Sequence, residues 1–435
     1  MALGGGTFLT QNKKLPGTYI NFVSAARATA NLSDRGTVTM PLELNWGPDG
    51  VIFTVTQEDF IKNTMKIFGY AYDAPEMKGL RDLFLYAQKA YLYKLTSGGT
   101  KASCDYGEAV CGGTRGNDLK IVIASNVDDN TKFDITLYLG TTKVDFQTVA
   151  TAADLVDNDY VKYDKEATLA TTAGTSFTGG TNETVTGTAH SAYLALIEAY
   201  AFNTMGVITS DSTTLALYRT FIERMRDKVG AKCQVVLYNK AGDYEGVINV
   251  KNTVSDTGAN AASLVYWVTG VEGACAVNES CTNKKYDGEF TVNVDYTQSQ
   301  LEAAIDAGEL VLHQVGDDVR ILTDINSLVT TTDDKGDDFK SNQTIRVIDQ
   351  IANDIATLFA TKYLGRVPND SDGRTSLWAD VVKLEQSLED MRAIEDFDES
   401  DVEIAQGDTK KDVVINNAIT PTNAMEKLYM TVKVA

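Results

Sequence analysis

VIFTVTQEDFIKNTMKIFGYAYDAPEMKGLRDLFLYAQKAYLYKL, residues 51–95, decides the fold class. Val51 to Val55 is rich in β-branched and aromatic residues, as strands are. Thr56 and Asp59 then form a capping box, which opens a helix carrying Phe60, Ile61, Met65 and Phe68. Gly69 stops it. A second helix from about Lys78 buries Leu80, Phe84, Ala87 and Tyr91 and feeds into the strand YLYKL. Strand–helix–helix–strand is the unit of an α/β domain.

C-terminal to this unit the texture changes. Residues 98–187 hold short alternating segments (LKIVIAS, FDITLYLG, TKVDFQTV, YVKYDKEATL) between Gly-, Asn- and Asp-rich turns, which predicts an all-β insertion. Helices resume at His190 to Met205 and Thr213 to Lys228, each followed by a strand. GVINVKN continues the β pattern, and the apolar segment from Ser263 fits a buried helix. Ser299 and Glu302 predict another capping box, with Gly308 as the stop. ELVLHQ and VRIL are two more strands. Residues 36–97 and 188–340 therefore read as one α/β domain interrupted by the insertion.

The acidic loop Asp333 to Asp338 marks a boundary, and residues 341–424 read as an α+β domain. One helix, capped near Asn342, carries Ile345, Ile348, Ile351, Ile355 and Phe359 and ends at Gly365. Another, from after Ser376, carries Leu377, Val381, Leu384, Leu388 and Met391 on one apolar stripe. DVEIAQG, KKDVVINNAI and MEKLYMTVKVA are expected as closing strands. In the last, residues 425–435, Leu428, Met430, Val432 and Val434 alternate with Tyr429, Thr431 and Lys433. At the other end residues 1–17 read as an arm, with Gly4, Gly5 and Gly6 before Thr7, Phe8 and Leu9, then Lys13, Lys14, Pro16 and Gly17. TYINFVSA predicts a strand within 18–35, joining the C-terminal domain.

The chemistry available is sparse. Sixty acidic against 39 basic residues give a net charge of −21, unlike a nucleic-acid binder. No apolar run reaches the ~20 residues of a membrane helix, and no secretion signal opens the chain. Five cysteines in so long a chain argue for a reducing compartment rather than a disulfide scaffold. The spacings Cys104 to Cys111 and Cys275 to Cys281 do not suit zinc. His190 and His313 are the two histidines. Gly174-Thr175-Ser176 has a superficial likeness to the serine motif of subtilisins, but both histidines follow it, against the order of that triad. Phosphate-binding loops are missing. Asp370-Ser371-Asp372-Gly373 mimics a calcium loop, but Pro368 and Ala379 occupy its first and twelfth ligand positions, so an interhelical turn is expected. No catalytic, cofactor or metal site is expected.

With catalysis set aside, the remaining motifs resemble the phage tail sheath proteins of Gram-positive phages, defective prophages and R-type tail bacteriocins. The likeness runs nearly end to end: GGGTFLTQNKKLPGTYINFVSA, RGTVTMPLELNWGP (Arg35 to Pro48), GTRGN (Gly113 to Asn117), TGGT near Gly179, DINSLVT (Asp324 to Thr330), KYLGRVPN (Lys362 to Asn369) and PTNAMEKLYMTVKV. It implies a subtilisin-like α/β core without a triad. It implies hexameric rings stacked helically around a tail tube protein, with baseplate and tail terminator proteins at the ends, and a sheath that contracts to drive the tube through a cell envelope. The C-terminal domain would face the tube and the insertion the outside. The resemblance places the protein in a virion tail or tail-like bacteriocin assembled in the host cytoplasm, with neither nucleic acid nor membrane as partner.

A helical filament needs heterologous contacts, and strand addition supplies directional ones. Both ends suit it. The N-arm candidates are Thr7, Phe8, Leu9, Lys13 and Lys14. The C-arm candidates are Leu428, Tyr429, Met430, Val432 and Val434. Hinges are expected at Gly4 to Gly6, Pro16, Gly17 and Pro421 to Ala424. The basic N-arm is expected to dock on the C-terminal domain of a neighbour, where Asp390 to Glu403 holds seven acidic residues against Arg392. A glycan-binding surface protein using the Thr-rich insertion, and a hydrolase, are the other two readings that stay open.

Overall fold

The computed structural model describes residues 32–434. Residues 1–31, which include the 1–17 arm and TYINFVSA, lie outside the described residues. β1 (Thr37–Leu42) and β2 (Ile52–Thr56) open the chain. α1 (Gln57–Phe68) follows with the capping box of Thr56 and Asp59 in place, and Gly69 ends it at φ +78°. The helix turns Phe60, Thr64 and Phe68 inward and leaves Ile61 in solvent. α2 (Lys78–Phe84) is shorter than expected, and Ala87 and Tyr91 fall beyond it, Tyr91 within β3 (Lys89–Lys94).

The chain then leaves this domain for β4 (Lys101–Cys104), β5 (Gly107–Gly112), β6 (Leu119–Ser125), β7 (Phe133–Leu139), β8 (Thr142–Val149), β9 (Val161–Tyr163) and β10 (Thr172–Ser176). These make two antiparallel sheets, ordered β4-β5-β9 and β10-β6-β7-β8. They share a core of Leu119, Ile121, Ile135, Leu137, Val161 and Phe177. Trp46, from the loop after β1, is fully buried in that same core. Lys94, at the end of β3, is also fully buried. It donates to the Gly112 carbonyl at 2.6 Å and pairs with Asp49 at 2.9 Å.

Helices return as α3 (Gly187–Ile197), followed by β11 (Thr204–Gly206), α4 (Ser212–Arg224), β12 (Gln234–Tyr238), β13 (Val247–Val250) and α5 (Leu264–Ala274). The expected helix over His190 to Met205 thus breaks at Ile197, and its end is a strand. α6 (Gln298–Asp306) is capped by Thr297 with Gln300, two residues before the expected pair, because Thr297 holds the extended backbone a cap needs. β14 (Glu309–Leu310) and the hairpin β15 (Leu312–Val315) with β16 (Asp318–Ile321) complete this part.

One sheet, ordered β14-β13-β12-β11-β1-β3-β2, organises the domain. All pairs are parallel except β2 with β3. Val236, Ile248, Val38 and Met40 face α1, α2 and α5, whereas Val235, Leu237 and Val247 face α3 and α4. Burial of both faces is the rule for parallel sheets. It also explains why β1 shows no alternation and escapes a period-two reading.

α7 (Asn342–Leu358) is capped by Ser341, next to Asn342 as expected. α8 (Ser371–Asp390) starts five residues before Ser376, with Asp370 as its N-cap. Asp370 to Gly373 is therefore a helix start and not an interhelical turn, since Asp370 accepts the Gly373 N–H at 2.8 Å. β17 (Ile394–Glu395), the hairpin β18 (Val402–Gln406) with β19 (Val413–Asn417), and β20 (Thr420–Pro421) follow, β20 pairing with β17. The expected strand over 425–435 has no ladder partner among the described residues.

Candidate functional site

The surfaces of interest are where the two ends of the described chain meet the folded body, and both meet α7. The sequence suggests that this helix buries an isoleucine stripe. Instead Ile348, Ile351 and Ile355 are half-buried, and the buried face is largely polar: Asn342, Gln343, Arg346, Asp349, Gln350 and Asp354. Buried polar groups need partners, and these have them.

Arg226, after α4, makes a two-pronged contact with Asp349 at 2.6 and 2.7 Å. Arg346 is buried between Glu272 of α5, at 2.6 Å, and Asp324, at 2.5 Å. Asp324 also accepts the Cys281 N–H at 2.8 Å and the Asn342 amide at 2.9 Å. Burial drives both carboxyls upward. At Asp324 the Arg346 charge and the Cys281 N–H outweigh that and hold its pKa below the ordinary value. At Glu272 burial and the adjacent Asp324 charge prevail, so its pKa is raised well above normal. Glu272 Oε1 has no partner. Cys281 Sγ lies within 4.8 Å of ligand atoms of both carboxylates, but the Arg346 guanidinium spans the carboxylates where a cation would have to sit.

The N-terminal segment enters along the same helix. Ser33 Oγ donates to Asp354 at 2.6 Å, and Gln350 donates to the Ser33 carbonyl at 3.1 Å. Arg35 donates to the carbonyls of Cys275 and Glu272 at 2.8 and 3.2 Å. The N-arm residues Thr7, Phe8, Leu9, Lys13 and Lys14, and the hinge residues Gly4, Gly5, Gly6, Pro16 and Gly17, precede this anchor and lie outside the described residues.

The C-terminal segment leaves at the other end of α7. Pro421, expected as a hinge, is held in the β17–β20 ladder opposite Ile394. Thr422 N–H bonds the Ala393 carbonyl at 2.9 Å, Asn423 meets Ser341 and Thr344, and the Ala424 N–H reaches Gln343 at 3.0 Å. Glu426 accepts from Thr282 at 2.6 Å and from Thr323 at 3.1 Å. In the single chain this strap of contacts runs as far as Glu426, and Lys427 is the first residue past it. Beyond it Leu428, Tyr429, Met430, Val432 and Val434 are exposed, Leu428 at 88% and Val434 at 93%. Alternation along this segment was legible in the sequence. The strap was not, because its partners lie far away in sequence.

Among the described residues neither histidine is hydrogen-bonded to a Ser, Thr or Cys side chain. His190 is a core residue whose Nδ1 meets Tyr218 Oη at 2.7 Å, and burial lowers its pKa. His313 pairs with Arg320 across the β15–β16 hairpin. Ser176 lies in β10, in the other sheet system. The five cysteines are all free thiols.

Family models match the chain in four consecutive blocks. These are the Gp18 tail sheath protein domain III N-terminal region over 35–95, the phage tail sheath protein beta-sandwich domain over 97–182, its central domain over 183–327, and the phage tail sheath C-terminal domain over 334–435. The phage-like element PBSX protein XkdK of Bacillus subtilis is 31% identical, over 99% of this chain and all of its own. A sheath tail protein from Desulfitobacterium hafniense superposes with a TM-score of 0.83 at 36% identity, over 96% of this chain and all of that one. The contracted helical sheath of the anti-feeding prophage, at 14% identity and a TM-score of 0.58 over 97% of this chain and 99% of that one, shares the fold.

Proposed function

The chain belongs to the phage tail sheath family, and on that premise we propose that it is a non-catalytic structural subunit of a contractile tail sheath. In this reading, hexameric rings of the protein stack helically around a tail tube, between baseplate and terminator proteins. Contraction drives the tube through a target envelope. The observation that carries the reading is the pair of chain ends anchored on one helix, α7, with a C-terminal segment of exposed, alternating apolar residues beyond Glu426. A segment with period-two pattern and no ladder partner among the described residues is suited to complete a sheet in another copy. Several ladder bonds of about 1 kcal/mol each would add up over two arms and many copies.

The division into a tube-facing domain at 341–424, an α/β core at 36–97 with 188–340, and an outward insertion at 98–187 belongs to the same proposal, as does a subtilisin-like ancestry of the core. So does docking of Lys13 and Lys14 on the acidic stretch Asp390 to Glu403. Truncation after Lys427 tests the arm. The shortened chain should unfold at the denaturant concentration of the full one, because the lost residues are exposed, yet sediment only as monomer. Assembly equal to that of the intact chain would refute a linking role for the segment.

A further inference from the structure

Helix α5 ends at Ala274, and Cys275 to Cys281 make a tight loop in which the Glu279 N–H bonds the Ala276 carbonyl at 3.1 Å. The loop turns both cysteines toward the Arg346 guanidinium: Cys275 Sγ donates at 3.5 Å to the Glu279 carbonyl that Arg346 also contacts, and Cys281 Sγ lies within 4.8 Å of an Asp324 oxygen. Each of its neighbours is an anchor described above. Arg35 donates to the Cys275 carbonyl at 2.8 Å, and Arg346 to the Glu279 carbonyl at 3.1 Å. The Cys281 N–H reaches Asp324, and the next residue, Thr282, holds Glu426. The loop thus touches the N-terminal entry, α7 and the C-terminal strap at once.

We propose that Cys275 and Cys281 are a redox pair, which a small-molecule disulfide such as oxidised glutathione converts into a disulfide closing this loop at the junction of α5, α7 and the strap. The Cys275 thiolate attacks one sulfur of glutathione disulfide and expels glutathione thiolate, which takes up a proton. Cys281 then loses its proton, attacks the Cys275 sulfur of the mixed disulfide and expels the second glutathione. Two protein thiols become one disulfide, while one glutathione disulfide becomes two glutathiones.

Geometry sets this pair apart, and electrostatics favour Cys275 as the attacking thiol, whereas the Cys275 thiol, burial and the Glu272 and Asp324 charges raise Cys281 well above the ordinary thiol range. Cys275 is half-buried, with the guanidinium groups of Arg35 and Arg346 close by, an environment that favours thiolate. The neighbouring Cys281 thiol lowers its pKa to about 7, against the opposing effect of burial, with the Arg346 charge helping. Cys281 is fully buried and waits as the resolving thiol. Burial instead pushes the Cys233 thiol up to about 12 and raises those of Cys104 and Cys111. The bond would leave the hub of Glu272, Asp324 and Arg346 in place and restrain the segment that carries Thr282. A particle passing from a reducing to an oxidising environment would gain it without any other change.

The test uses the folded full-length protein. It is equilibrated with mixtures of reduced and oxidised glutathione, then blocked with iodoacetamide, digested with trypsin and read by mass spectrometry. No Lys or Arg lies between the two cysteines, so a bridge appears within one peptide as the loss of two hydrogens. That loss is expected, with Cys104, Cys111 and Cys233 carrying the alkyl group. Cys281→Ser should instead trap glutathione on Cys275. If wild-type Cys275 and Cys281 are alkylated as fully as the other three after oxidation, or if wild type keeps the mixed disulfide, the proposal is wrong. The wild-type digest decides even if the variant fails to fold, and neither outcome depends on whether the protein forms a sheath.

Discussion

Asp82 shows how much a single residue in this chain depends on context that sequence does not display. It sits in α2, fully buried, accepting from Tyr286 Oη at 3.0 Å and from the Glu289 N–H at 2.8 Å. Burial outweighs these hydrogen bonds and raises its pKa to about 6. An unfolded chain ionises this carboxyl near pH 4. Between about pH 4 and 6 the folded state therefore binds more protons than the unfolded one, and Asp82 lowers stability as pH rises through that window. Asp82→Asn keeps an acceptor for Glu289 and never ionises. The variant should gain on wild type by roughly 2–3 kcal/mol between pH 4 and pH 6, and by no more above it. Urea unfolding of both proteins at pH 4, 5, 6 and 7 measures the gap, and a pH-independent gap would contradict the assignment. Asp82 was illegible because a lone acid in a short helix reads as a solvated one. Glu272 did carry a signal, as the one charged residue in the apolar run LVYWVTGVEGA. A buried acid there needs a hydrogen-bond partner, and Arg346 supplies one.

At the scale of elements, local chemistry was readable and long-range pairing was not. The Thr56–Asp59 box, the Gly69 stop and the strands β6, β7 and β8 follow from contacts a few residues apart, which sequence displays. α3 was read too long because the residues up to Met205 are good helix formers, yet β11 is claimed by its ladders with β1 and β12. The polar face of α7 was misread for the same reason: its partners Arg226, Glu272 and Asp324 lie 123, 74 and 22 residues away. This helix docks by ions, which sets its response to mutation. Arg346→Met would leave the Asp324 charge buried and unpaired beside Glu272, at a cost of about 3–5 kcal/mol. Arg346→Lys should recover only part of that, since one ammonium cannot reproduce the fork that reaches Glu272, Asp324 and the Glu279 carbonyl. Denaturant unfolding of the three proteins checks the order. Equal stability of the Met variant and wild type would show that α7 is held by its half-buried isoleucines instead.

At the scale of the whole molecule, the α/β class with a β-rich insertion could be read from strand and helix periods alone. The family followed from the order of its motifs. The working surface was legible only in pattern. The alternation from Leu428 to Val434 is that of a strand, and among the described residues these side chains are exposed and the segment has no ladder partner. In the proposed reading a second copy completes that strand, and the like charge of copies at net −21 makes specific contacts the condition of assembly. The central claim, that this chain is a sheath subunit, is tested most directly by electron microscopy of the purified full-length protein at rising concentration and salt. The account predicts hollow tubes with six subunits per ring. Particles that stay monomeric under all conditions, or that close into isolated symmetric oligomers without stacking, would contradict it.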